Sequence, residues 1–116
     1  MNKVSVVMPA RNAAATIKDA IASVLASREI QELIVINDQS TDLTAERVRE
    51  FSDDRIRLMP GEGKGISAAL NLGFTAANAD YVARCDADDM FPRDRLDWQL
   101  EWLCRHPEYV AVSGGF

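Results

Sequence analysis

At 116 residues, 47% of them hydrophobic and 27% charged, the chain has the composition of an ordinary soluble globular protein, long enough for one sizeable core and too short for two. Its 13 basic residues against 18 acidic ones leave a net charge of −5, which argues against a nucleic-acid partner and against an anionic membrane surface. No apolar run approaches the roughly 20 residues needed to cross a bilayer, and Met1-Asn2-Lys3 leads straight into a strand-like run, so a cytoplasmic protein without a signal peptide is expected. Cys85 and Cys104 make no disulfide framework and lack metal-ligand spacing, so both are expected to be buried, reduced thiols.

The first apolar run, Lys3 to Met8, is nearly continuous, as in a strand buried on both faces of a parallel sheet, and Pro9 is expected to stop it. A helical pattern follows with Ile17, Ile21, Val24 and Leu25 on one face. Leu33-Ile34-Val35-Ile36 predicts a second buried strand, closed by Asn37-Asp38-Gln39-Ser40-Thr41-Asp42, in which Ser40, Thr41 or Asp42 can accept from the free N–H groups opening the next helix. That helix carries Leu43, Val48 and Phe51, and Arg55 to Met59 supplies a third strand. After the glycine-rich turn Pro60-Gly61-Glu62-Gly63-Lys64-Gly65, the pattern is helical again from Ile66 through Leu70, Phe74 and Ala77, with Asn78 as a left-handed stop. A fourth strand, Tyr81-Val82-Ala83, runs into Arg84-Cys85-Asp86-Ala87-Asp88-Asp89. A fourth helix opened by Pro92 carries Leu96, Leu100 and Leu103 and ends at His106-Pro107, and Tyr109 to Ser113 reads as a fifth strand. Strands alternating with helices at this spacing define an α/β fold: a Rossmann-like three-layer α/β/α domain with a mainly parallel sheet. Ligands of such sheets bind at the carboxyl ends of the strands, where the loops after strands one, two and four all fall.

Three carboxylates packed into the four positions from Asp86 to Asp89 repel one another, so a positive charge is expected among them. In extended backbone, residues two apart share a face, which aims Asp86 and Asp88 the same way. Oxygen-only ligands suit a hard divalent cation such as Mg²⁺ or Mn²⁺. An Asp-x-Asp alone is a weak signal, since most acidic clusters are solvated turns; here it ends a strand on the ligand edge, with Asp38 and Asp42 ending another. Asp38 either caps the second helix or accepts from a base N–H, and the capping residues beside it favour the second role. Lys64 opens a helix where anions are favoured and is a candidate phosphate contact, although the glycine turn matches neither a dinucleotide fingerprint nor a P-loop. His106 reads as a surface residue. Trp98 and Trp102 form a second apolar stripe that would suit a covered interface, including one in a homo-oligomer.

The order Val-Ser-Val-Val-Met-Pro-Ala-Arg-Asn, Leu-Ile-Val-Ile-Asn-Asp-Gln-Ser-Thr-Asp, Gly-Ile-Ser-Ala-Ala-Leu-Asn-Leu-Gly and Asp-Ala-Asp-Asp resembles the nucleotide-binding half of a family 2 glycosyltransferase. The resemblance covers essentially the whole chain, residues 1–116. It implies a GT-A fold cut short after its fifth strand, an NDP-sugar donor with a UDP-sugar favoured, Mn²⁺ or Mg²⁺, and inverting transfer to a saccharide or lipid-linked acceptor of the cell envelope. Carried over residue by residue, it implies that Pro9, Ala10, Arg11 and Asn12 line the nucleotide and that Asp38 meets the base. Asp86 and Ala87 would lie on the ribose or sugar side, with Asp88 on the metal and Asp89 supporting it; Asn71 and Gly73 would set a helix against the site. Asn37 stands where the family usually has an aspartate, and Gln39 where it usually has glycine. Family members continue for roughly another hundred residues, the size of a further domain half. That half carries the acceptor site and the catalytic base, so no catalytic residue is expected here and the chain reads as a donor-binding fragment, inactive alone.

Two other classes fit less well. A receiver domain would place its acids after strands one and three. A nucleotidyltransferase would need a basic glycine-rich loop after strand one, where only Arg11 is offered, and a non-catalytic nucleotide-binding module is the remaining alternative.

Overall fold

The computed structural model describes residues 4–27 and 30–88. Four parallel strands, β1 (Val4–Ala10), β2 (Ile30–Asn37), β3 (Ile56–Pro60) and β4 (Tyr81–Arg84), form one sheet in the order β3-β2-β1-β4. They alternate with α1 (Ile17–Leu25), α2 (Thr44–Arg49) and α3 (Ile66–Ala76). The chain steps from β1 to β2 to β3 in one direction and then crosses back to lay β4 on the far side of β1. Crossovers of one hand place helices on opposite faces when the direction of travel reverses, and the packing follows that rule. Val4, Val6, Met8, Leu33 and Val35 pack with α1 and Val48 of α2 on one face; Val7, Ile34 and Ile36 pack with Ala69 of α3 on the other. The predicted three-layer architecture is therefore present. The predicted fourth helix and fifth strand, Cys104, His106 and the Trp98/Trp102 stripe lie outside the described residues.

Pro9 does not stop β1, which runs on to Ala10 in register with Asn37. The Val7 carbonyl accepts from Cys85 N–H on the β4 side, and the Ala10 carbonyl accepts from Asp38 N–H on the β2 side. Pro9, two residues beyond Val7, thus turns its missing N–H toward a side where β4 pairing has ended at Val7↔Arg84.

The core stripes of two helices differ from expectation. Leu43 is 53% exposed at the entry to α2, whose buried residues are Thr44 and Val48. Phe74 is 45% exposed, and α3 instead buries Ala69 and Gly73. Small residues decide this face: a Cβ on Gly73 would lie 2.3 Å from Val7 Cγ1, so glycine lets α3 sit directly on β1. Nor is Asn78 a left-handed stop. Among the described residues, the non-glycine ones with positive φ are Asn12 and Gln39, and α3 ends in extended backbone at Ala77.

Asn78 instead joins a network around the buried Glu32 at the amino-terminal end of the sheet. Glu32 Oε2 accepts from Ser5 Oγ (2.5 Å) and Asn78 N–H (2.6 Å), while Oε1 accepts from Arg57 Nη1 (2.8 Å). Burial alone would raise the Glu32 pKa; the hydrogen bonds from Ser5, Asn78 and Arg57 outweigh it and hold the carboxyl below the usual range.

Candidate functional site

The direction of strand progression reverses at β1, which has β2 on one side and β4 on the other, the kind of switch point where open α/β sheets take ligands. A cleft of about 390 Å³ opens there. Pro9, Arg11 and Asn12 line it from the end of β1, Ala13, Ala15 and Thr16 from the approach to α1, Asp86, Ala87 and Asp88 from the end of β4, and Ile66 from the start of α3.

The acidic turn is built by alternation that outlasts the ladder. Strand pairing ends at Arg84, yet Cys85 and Ala87 remain buried in the α1-side core while Asp86 and Asp88 face the cleft. Arg84 brings a positive charge to the turn: its Nε and Nη2 reach the two Asp86 carboxylate oxygens at 2.8 and 3.1 Å. Asp86 is therefore committed to a bidentate partner. Cys85 is a buried thiol, as expected.

The loop after β1 is held rigidly by the loop after β2. Asn12 adopts φ 51 and donates its N–H to Ser40 Oγ (3.0 Å); Ala13 N–H goes to Thr44 Oγ1 (2.9 Å) and Ala14 N–H to Asp42 Oδ2 (3.2 Å). In return Asn12 Oδ1 accepts from Thr41 N–H at 2.8 Å. Of the three capping candidates, Asp42 accepts from Thr44 N–H (3.0 Å) and from its hydroxyl, and the Thr44 hydroxyl contact comes first among the causes that lower the Asp42 pKa. Ser40 and Thr41 serve Asn12 instead. Asn12 thus lines the cleft, but its side-chain oxygen is already occupied.

Three candidate residues stand away from the cleft lining. Ala10 is 3% exposed, with its side chain in the core. Asp38 is 5% exposed, and its Oδ1 accepts from Gly63 N–H at 2.7 Å. The glycine turn is thereby folded onto the end of β2: a Cβ on Gly61 would come within 2.6 Å of Asp38 Oδ1, and one on Gly63 within 2.7 Å of Gln39 Oε1. Lys64 is paired with Glu62 at 3.3 Å and its side chain is 70% exposed. Gln39 sits at φ 59, which accounts for the glycine that the resembling family places there.

The described residues contain no group of three or more His, Cys, Asp or Glu side chains that could hold a metal ion, and Asp89 lies outside them. A cation shared with a diphosphate needs fewer protein ligands, since Mg²⁺-type sites use one or two carboxylates plus substrate phosphates and water. Asp88 at an open cleft fits that requirement. Sequence reasoning missed Thr16 and Ile66. Thr16 carried no reading in the sequence, and Ile66 only that of a helix residue.

The model of the glycosyl transferase family 2 matches residues 5–115, and the chain belongs to that family. The UDP-Glc:α-D-GlcNAc-diphosphoundecaprenol β-1,3-glucosyltransferase WfgD of Escherichia coli is 37% identical over 105 residues, covering 89% of this chain and 42% of that protein. The poly-β-1,6-N-acetyl-D-glucosamine synthase of Staphylococcus aureus (strain COL) is 37% identical over 106 residues, covering 89% of this chain and 26% of that protein. Among solved structures, the mannosyltransferase PcManGT of Pyrobaculum calidifontis in complex with GDP-Man and Mn²⁺ superposes with a TM-score of 0.80 at 28% identity, covering 88% of this chain and 32% of that one. The fold is thus of the expected GT-A type, and the chain spans less than half the length of each of these relatives.

Proposed function

We propose that the cleft between β1 and β4 binds the diphosphate-sugar part of an NDP-sugar, a UDP-sugar in preference, and that the 116 residues form the donor-binding part of an inverting glycosyltransferase. The observation that carries this reading is the convergence of Arg11, the amino end of α1 and the pair Asp86 and Asp88 on one cleft at the switch point of the sheet. A diphosphate is favoured by the guanidinium of Arg11 and by the N-terminal end of a helix. Asp88, supported by Asp89, would hold Mn²⁺ or Mg²⁺; the bound cation would neutralise charge developing on the departing diphosphate. Asp86, fixed by Arg84, would face the ribose or sugar beside Ala87, and Asp38 would stand toward the base.

WfgD, a UDP-Glc:α-D-GlcNAc-diphosphoundecaprenol glucosyltransferase, supports a UDP donor and a lipid-linked acceptor, and the PcManGT complex supports Mn²⁺. No helix among the described residues is long and apolar enough to cross a membrane; a cytoplasmic position at the membrane face suits such an acceptor. With Asp86 paired to Arg84 and Asp88 assigned to the cation, the described cleft holds no carboxylate left to serve as base. Binding without transfer is therefore the expected behaviour of these residues alone. Calorimetric titration with UDP and UDP-sugars, with and without Mn²⁺, tests the reading. Metal-dependent binding is expected; absence of a response to every common nucleotide sugar, or a response indifferent to the metal, would contradict it.

A further inference from the structure

Thr16 occupies the N-cap of α1, yet its side chain makes no capping hydrogen bond. A threonine hydroxyl in that position ordinarily accepts from an N–H of the first helical turn. Here Oγ1 donates to the Ala87 carbonyl at 2.9 Å, across 71 positions of sequence, in preference to the local Ala13 carbonyl at 3.4 Å. Ala87 is the residue between the two cleft-facing carboxylates, and its methyl group is buried at 4% exposure in the core beneath them. The acidic turn is thus pinned at its centre from two directions, by packing from below and by the Thr16 hydroxyl at its carbonyl.

We infer that Thr16 is a positioning residue that sets Asp88, through Ala87, for the cation shared with the diphosphate. The inference rests on the donor-site reading and adds to it a residue that holds no ligand itself. A hydroxyl acting this way belongs to the shell behind the metal ligands, whose loss typically weakens metal binding by 10- to 100-fold. Thr16→Val keeps the shape and removes the donor; Thr16→Ser restores the donor and removes the methyl.

The test is UDP titration of the full chain, parent and both variants, in Mn²⁺ and again in EDTA, with thermal unfolding recorded alongside. The expected result is a loss of about tenfold in Mn²⁺-dependent UDP affinity for Thr16→Val, recovery in Thr16→Ser, and unchanged weak binding in EDTA. Equal affinity of Thr16→Val and parent in Mn²⁺ overturns the inference and leaves the donor site standing. An equal loss in EDTA also overturns it, because Thr16 would then be a direct ligand contact. A parent that shows no Mn²⁺-dependent binding defeats the donor-site reading and this one with it. If Thr16→Val fails to fold, Thr16→Ala takes its place, judged by the same comparison with Thr16→Ser.

Discussion

Glu32 shows how much a single polar residue can organise where no ligand is involved. Its two oxygens receive only donors, from Ser5, Asn78 and Arg57, so an amide would turn an N–H₂ group toward an N–H or O–H. Glu32→Gln is expected to cost about 2 kcal/mol in denaturant unfolding, the scale of hydrogen bonds to a buried charged group. The pH dependence follows from the lowered folded pKa. The stabilisation is complete above the unfolded value of about 4.5 and is lost as pH falls through the folded value. The parent should therefore lose stability more steeply than Glu32→Gln below that pH. Parallel curves would show that the carboxylate contributes nothing. Gln39 is the opposite case, a side chain held where glycine is at ease, at φ 59. Gln39→Gly should change stability by no more than about 1 kcal/mol, because relief of the left-handed backbone offsets the greater entropy of the unfolded glycine. A loss of several kcal/mol would mean that the Gln39 side chain anchors the glycine turn.

Among the elements, α3 is the one whose seating depends most on a missing side chain. Gly73→Ala would gain helix propensity of about 1 kcal/mol, but its methyl would meet the fully buried Val7. Overpacking of that kind costs about 1–3 kcal/mol, so a net loss of stability is expected, measurable as a lower denaturant midpoint with unchanged slope. A gain would show that α3 can lift from β1. This element also marks the limit of reading helices by their large residues. Leu70 and Phe74 suggest one stripe, but close approach to the sheet is governed by Ala69 and Gly73, so Phe74 is left outward. The glycine turn was equally opaque. It matches no phosphate-binding motif, and no local pattern announces that Gly61 and Gly63 are small because Asp38 and Gln39 press against them. Such contacts join residues more than 20 positions apart, beyond the reach of local pattern.

At the scale of the whole molecule, the strand and helix order, the layers and the edge that carries the cleft were legible among the described residues, because continuous apolar runs and 3.6-residue periodicity are local signals. The cleft was legible in part. Asp86 and Asp88 share a face as alternation predicts, and Arg84 pairs with Asp86. The roles of Thr16 and Asn12 as ties between loops were not, since a capping threonine and a turn asparagine look the same whatever they bond. The topology joins these parts: a sheet that reverses between β1 and β4 opens one cleft, and the loops that end both strands are braced around it. The proposed donor site makes this cleft the seat of a metal-bridged diphosphate. The most direct test is paramagnetic broadening of backbone amide signals by substoichiometric Mn²⁺, recorded with and without UDP. The predicted result is loss of signals from residues 11–13 and 86–88 when UDP is present, abolished in Asp88→Asn; broadening centred elsewhere, or unaltered by that substitution, would contradict it.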